Sequence, residues 1–174
     1  AGIPQISPSA TNPKYTRQGY AGAFRVVDLR KASENAVLLL RLKLQQLGVK
    51  VEVGGDAVIP AIEGNPGQIQ QVFLNLMMNG VQAMTGGGQL TLRLGVEPGP
   101  QGEVVVVRIS DTGSGIPPEI LPKIFESFFT SREDGTGLGL AIVKRIMRDH
   151  RGDIIVESTG PGGTTFKFWF PVGK

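Results

Sequence analysis

The chain has 174 residues, with 18 Lys and Arg against 15 Asp and Glu for a formal net charge of +3, 40% hydrophobic residues and no cysteine. A chain of this size can bury a sizeable core as one domain, and the lack of cysteine excludes a disulfide scaffold and any thiolate metal site. No apolar run approaches the ~20 residues of a membrane helix and residues 1–20 lack the apolar core of a secretory signal, so the fragment reads as soluble, without membrane contact of its own. With three excess positive charges and no dense Lys/Arg block, no nucleic-acid partner is expected, whereas an anionic small ligand fits.

Residues 1–22 carry Pro4, Pro8 and Pro13 among polar residues, without helical or alternating period, and read as a flexible linker or tail; the domain is placed at 23–174. Asp28 or Ser33 caps a helix with apolar positions Val37, Leu40, Leu44 and Leu47, ended by Gly48. Two β-rich pieces, Val49 to Val53 and Ala57 to Glu63, flank Gly54 and Gly55 as in a hairpin. Asn65 and Pro66 open a second helix to about Met84, with Ile69, Val72, Phe73, Leu76 and Gly80 facing the core, and Gly86 to Gly88 stop it. Strands Gln89 to Val96 and Glu103 to Ser110 follow, then a short helix near Pro118 to Phe125, a helix from about Leu138 to Asp149, and strands Asp153 to Glu157 and Thr164 to Phe170. Helices and mostly adjacent strands in this order predict an α/β two-layer sandwich.

Between Glu63 and Arg93 no residue is charged, although the segment contains a whole helix. A solvated helix face normally carries Lys and Glu. Here it carries a column of carboxamides, Gln68, Gln71, Asn75, Asn79 and Gln82, aligned by steps of three or four. A neutral solvated face is one reading. Two Asn residues at i and i+4 in a helix interior are a local cost, however, and a carboxamide oxygen can coordinate Mg²⁺ on a polyphosphate without the repulsion a carboxylate would bring.

Three glycine loops follow. Asp111-Thr112-Gly113-Ser114-Gly115-Ile116-Pro117 puts a carboxylate at a strand end beside bare backbone, either an ordinary turn or an acceptor for the amino group of a base. Gly135-Thr136-Gly137-Leu138-Gly139-Leu140 runs into an apolar helix, where unpaired N–H groups can receive phosphate; it matches neither a Walker loop nor a Rossmann fingerprint. Between them, Phe125 reads as core, while Phe128 and Phe129 read as anchors of a short segment able to close over a nucleotide. The third loop, Gly160-Pro161-Gly162-Gly163-Thr164, reads as a hairpin turn whose Thr164 offers a hydroxyl to the base.

Taken in order, Asn75-x-x-x-Asn79, Asp111-x-Gly113-x-Gly115, the Phe125 to Phe129 segment and Gly135-x-Gly137-x-Gly139 resemble the ATP-binding catalytic domain of bacterial two-component sensor histidine kinases over about residues 23–174. The resemblance implies a Bergerat-type mixed sheet with helices on one face and a short ATP lid. It also implies roles: Asn79 with Asn75 for Mg²⁺, Asp111 for the adenine amino group, Gly113, Gly115 and Ile116 for the base pocket, and Gly135, Gly137, Leu138, Gly139 and Leu140 around the phosphates. Phe129 and Thr164 complete the nucleotide contacts, and Arg132 is assigned to the γ-phosphate by charge and position. Gln82 stands where many family members have a basic residue, and the short lid is similar to that of nitrogen-regulatory kinases.

The related ATPases activate water with a Glu at the position of Asn75, a residue that accepts no proton at neutral pH, which favours phosphoryl transfer over hydrolysis. His150, the one histidine, precedes Arg151 and Gly152 at a predicted helix end and reads as a structural residue, so the phosphoacceptor belongs to a separate dimerisation domain of the full-length protein. A downstream response regulator, a cytoplasmic location and a monomeric fragment are further expectations, and whether the full-length protein is membrane-anchored stays open. Two alternatives also stay open: a nucleotide-sensing interaction module, and an anti-sigma-type serine kinase.

Overall fold

The computed structural model of the chain describes residues 24–129 and 139–172. The expected tail, residues 1–22, lies outside these, as do Arg132, Gly135, Gly137 and Leu138. The elements run β1 (Arg25–Val27), α1 (Leu29–Gln46), β2 (Val49–Gly55), β3 (Ile62–Gly64), α2 (Pro66–Gln82), β4 (Gly88–Gly99), β5 (Gly102–Asp111), α3 (Gly139–Asp149), β6 (Asp153–Gly160) and β7 (Gly163–Pro171). A five-stranded mixed sheet has the order β2-β4-β5-β7-β6, with β2 and β4 parallel and the other pairs antiparallel. This is the expected two-layer α/β architecture.

One sheet face packs on the helices. Leu90, Leu92 and Leu94 of β4, Val105, Val107 and Ile109 of β5, and Phe166, Phe168 and Phe170 of β7 alternate onto it and are buried. Against them α2 sets Ile69, Val72, Phe73, Leu76 and Gly80, as its periodicity predicts, together with Met77 and Val81, which the sequence reading did not include, and the Phe73 ring stands edge-on to Phe168 at 5.5 Å. The opposite face carries a cross-strand ion cluster. Arg108 of β5 makes two bonds to Glu157 of β6, at 2.7 and 3.0 Å, and reaches Glu97 of β4 at 2.7 Å, which Lys167 of β7 approaches at 3.1 Å. Hydrogen bonding to Arg108 holds both glutamates below the usual carboxylate range. These side chains are about a third exposed, so each pair adds at most about 1 kcal/mol, and the cluster mainly fixes the register of four strands.

Two expectations are corrected. Gly54 and Gly55 do not turn a hairpin: they continue β2, pairing with Arg93 and Leu94, while β3 pairs antiparallel with β1. After β2 the Asp56 N–H bonds the Leu94 carbonyl at 2.8 Å and its carboxylate accepts the Val96 N–H at 3.1 Å, holding the chain to β4 instead of letting it fold back. The helix expected near Pro118 to Phe125 is a single 3-10 turn, Leu121–Lys123, because Pro122 has no N–H to donate and the bonds around it are mostly i to i−3, with one i to i−4 bond from Leu121 to the Pro117 carbonyl. Strand β1 escaped notice, three residues being too few for a period. The alternative caps of α1 also separate: Asp28 accepts the Lys31 N–H at 3.1 Å, whereas Ser33 lies inside the helix, buried. Asn65 caps α2 through the N–H groups of Gly67 and Gln68.

His150 follows the C-terminus of α3 and is buried. Its Nδ1 lies 2.8 Å from the Ile146 carbonyl, which can only accept, so Nδ1 carries the proton; Nε2 then accepts the Asn65 N–H at 3.0 Å. The ring stacks on Phe24 at 4.9 Å and meets Phe170 edge-on. The structural reading of this residue holds, and its bonds join α3 to the N-cap of α2. Burial lowers its pKa from the ordinary 6.5, against smaller opposing effects of the Ile146 carbonyl and Asp149. The unfolded chain therefore binds the proton more readily, and stability falls as pH drops below about 6.5, being fully present above it. Thermal melts between about pH 8 and pH 5 should show this loss, and His150→Gln should flatten it; parallel pH profiles for the two proteins would assign the titration elsewhere.

Candidate functional site

Strand parity carries Asp111 into the core. It ends β5 opposite Leu90, on the face of Val105, Val107 and Ile109, and is 9% exposed. Its Oδ1 accepts two backbone N–H bonds, from Gly113 at 2.8 Å and Thr164 at 3.3 Å. Among the described residues Oδ2 has no hydrogen-bond partner, and it faces α2 at Gly80, where an added Cβ would stand 3.4 Å away. Burial raises the Asp111 pKa above the ordinary carboxylate value, while the two N–H bonds restrain the rise. The carboxylate is thus half satisfied and half presented.

The backbone around it is close-packed. A Cβ on Gly113 would press on the Ala83 carbonyl at 2.6 Å, and the neighbouring Ser114 N–H bonds that carbonyl at 3.3 Å. Gly115 has φ +85° and lies against the Gly160 carbonyl, so a side chain there is excluded on both counts. The Ile116 N–H bonds Thr159 Oγ1 at 2.8 Å, and Thr159 Oγ1 lies 2.8 Å from Thr164 Oγ1. Since Thr159 already accepts from Ile116, its own proton can go to Thr164, leaving the Thr164 hydroxyl proton available beside Asp111. Thr159 carried no signal in the sequence; a lone Thr in a strand looks like any other. The third loop is the β6–β7 hairpin turn, as read.

The carboxamide column lies on α2 as expected, with Asn75 and Asn79 half-buried and Gln71 and Gln82 exposed. Gln71 Nε2 donates to Asn75 Oδ1 at 2.6 Å, and Asn75 Nδ2 donates to the carbonyl of Gly139, the first residue of α3, at 3.0 Å. With Asn65 joined to His150 at the other end, α2 and α3 are antiparallel. From Asn79 onward α2 runs past the start of α3 toward Asp111, which Gly80 approaches. The structure therefore brings together Asn75, Asn79, Asp111, Gly113, Gly115, Ile116, Gly139 and Thr164 along this end of α2.

The phenylalanines divide differently from expectation. Phe125 is core, its ring edge-on to Phe166 at 6.4 Å with Lys144 Nζ 5.2 Å from its centroid. Phe129 packs partly buried against the core, as does Leu140. Phe128 is 75% exposed and has φ 69°, a backbone state that non-glycine residues rarely adopt, and the segment it was expected to anchor lies outside the described residues.

Chemically, the arrangement offers one carboxylate oxygen and a hydroxyl beside close-packed glycine backbone, and next to them neutral carboxamide oxygens and a helix N-terminus. Among the described residues no three His, Asp or Glu converge, so a cation here would meet carboxamides and its own ligand's anionic groups. Gly163, at φ +135° with the Asp111 carbonyl against it, lets the start of β7 pack directly on Asp111. Gly163→Ala is expected to cost about 1–3 kcal/mol, read as a lowered urea midpoint; an unchanged midpoint would mean the turn relaxes freely.

Residues 64–174 match the family described as histidine kinase-, DNA gyrase B- and HSP90-like ATPases. The chain is 35% identical over 158 residues to the sensor histidine kinase TmoS of Ectopseudomonas mendocina, covering 90% of this chain and 16% of that protein. It is 33% identical over 150 residues to the sensor histidine kinase ZraS of Escherichia coli, covering 86% and 31%. It therefore spans a third or less of the length of either relative. Among solved structures, full-length ShkA in complex with AMPPNP superposes with a TM-score of 0.77 at 27% identity, covering 87% of this chain and 32% of that one. The nucleotide-free catalytic domain of the histidine kinase ThkA gives 0.75 at 29% identity, covering 86% and 96%.

Proposed function

Because the chain belongs to the histidine kinase-, DNA gyrase B- and HSP90-like ATPase family, as a catalytic domain of the sensor histidine kinase type, we propose that it binds Mg-ATP and donates the γ-phosphoryl group to a histidine of a separate phosphoacceptor domain. The observation that carries this reading is Asp111: a buried carboxylate with Oδ1 occupied by two backbone N–H groups and Oδ2 left toward α2. An oxygen that can only accept suits the exocyclic amino group of adenine and opposes the oxo group of guanine. The glycines at 113 and 115 let the loop pack directly on the Ala83 and Gly160 carbonyls, which a Cβ would prevent, and so hold the loop beside Asp111.

Bound ATP supplies the phosphoryl group, and Mg²⁺ neutralises its phosphates. The chain's residues bind and orient. Asn79 offers a neutral oxygen to the cation, Gly139 opens a helix whose first N–H groups lack intrahelical partners, and Thr164 adds a hydroxyl beside the base. Asn75 cannot take a proton from water, which disfavours hydrolysis at this site. Arg132, Gly135, Gly137, Leu138 and Phe129 extend the proposal to the phosphate end. In this reading residues 23–174 form a cytoplasmic, monomeric catalytic domain that serves a separate dimerisation and phosphoacceptor domain of the same full-length protein, which passes the phosphoryl group to a response regulator.

Calorimetry of the chain with ATP and GTP, with and without Mg²⁺, tests the binding step: ATP should be preferred and Mg²⁺ should tighten it. Asp111→Ala should weaken ATP binding by roughly 10–100-fold, the loss of a desolvated hydrogen bond. Equal affinity in that variant would remove Asp111 from the base pocket. Asn79→Ala should abolish the Mg²⁺ enhancement while the melting curve stays cooperative, and a surviving enhancement would leave the carboxamide column as mere surface. With the phosphoacceptor domain and labelled ATP added, an acid-labile product is expected; an acid-stable one indicates a serine kinase, and none indicates a binding module.

A further inference from the structure

We propose that Gln71 is a positioning residue of the nucleotide site, holding Asn75 in the one orientation that clamps the N-terminus of α3; this rests on the Mg-ATP reading above. The direction of the bonds is forced from one end. The Gly139 carbonyl can only accept, so the nitrogen of Asn75 must face it at 3.0 Å. The Asn75 oxygen then faces Gln71, and Gln71 must present its own nitrogen, at 2.6 Å. Reversing either amide sets like atoms against each other, so the two carboxamides and the carbonyl form a chain with a single sense.

Gly139 has no side chain with which to fix the start of α3, and Asn75 Nδ2 occupies the space beside it, 3.9 Å from where a Cβ would stand. Its carbonyl therefore holds the helix start to α2 through Asn75 alone among the side chains described. Without the Gln71 donor, the Asn75 amide is free to turn about its terminal torsion and exchange its ends with water. The helix start, whose N–H groups the phosphates need, then loses its fixed distance from Asn79. Gln71 itself is exposed and acts through Asn75.

The test uses the 174-residue chain as wild type, Q71L, Q71E, N75A and the Q71L/N75A double variant. Hydrogen exchange without nucleotide should be faster in Q71L at Val143 to Arg145, hydrogen-bonded amides of the early part of α3. Mg-ATP should bind roughly three- to ten-fold more weakly to Q71L, the worth of one net hydrogen bond, while adenosine affinity stays within about two-fold. Q71E should lose at least as much, since a carboxylate cannot donate. In the N75A background, Q71L should add nothing. Unchanged exchange in Q71L, equal losses for adenosine and Mg-ATP, or additive losses in the double variant would each overturn the proposal. A wild type that binds neither ligand refutes the Mg-ATP reading instead, and the exchange data then decide the clamp by themselves.

Discussion

Between Asn65 and Asn75 the helix α2 rises about 15 Å, and between Gly139 and His150 the chain of α3 rises about 16 Å. Two polar rungs placed at those residues meet together only if the helices lie side by side and antiparallel, which they do. The His150 rung also answers a need of a helix end: its Nε2 accepts the N–H of the α2 cap residue, which burial would otherwise leave unpaired, while Nδ1 is held by the Ile146 carbonyl. Because α2 is the longer helix, fixing it against α3 at both rungs leaves its last two turns projecting over the end of β5, and that overhang creates the bay in which Asp111, Asn79 and Gly139 share one end of the molecule.

Asp111 faces two opposed demands, burial against the helices and an oxygen kept in reserve. Strand parity supplies the burial, and the Gly113 and Thr164 N–H groups satisfy one oxygen without touching the other. The demand on register is strict, since a slip of one residue would turn Asp111 to the solvent face. On that solvent face Arg108, Glu97, Glu157 and Lys167 join four strands, and β5, which carries Asp111, sits among them. The ion cluster and the carboxylate lie on opposite sides of the sheet and serve the same alignment.

What the sequence revealed was what repeats or what departs from custom. The 3.6-residue period of α2 marks five of its buried positions and leaves out Met77 and Val81, which widen the buried stripe. The uncharged carboxamide column and the glycine loops stood out because solvated helices and ordinary strands look otherwise. Pairing was less legible: Gly54-Gly55 has the composition of a turn, and only the distant β4 backbone makes it the end of a parallel strand. Phe128 stands exposed at a positive φ, a backbone state that aromatic composition does not announce. His150 was recognised as structural, but its partner Asn65 stands 85 positions away, a separation no local pattern reaches. Thr159 and the sense of the Gln71–Asn75 pair likewise depend on contacts between segments.

The packing around Asp111 is drawn largely by side chains that are missing. Added Cβ atoms at Gly80, Gly113, Gly115 and Gly163 would meet Asp111 itself or the neighbouring helix and loop backbone. Such packing has few neutral neighbours in sequence space, because at these positions every single replacement adds volume and none can subtract it. Evolutionary drift or redesign toward another ligand is left to positions that already bear a side chain at its margin, such as Ala83, Met84 and Thr164, where volume can be exchanged in both directions.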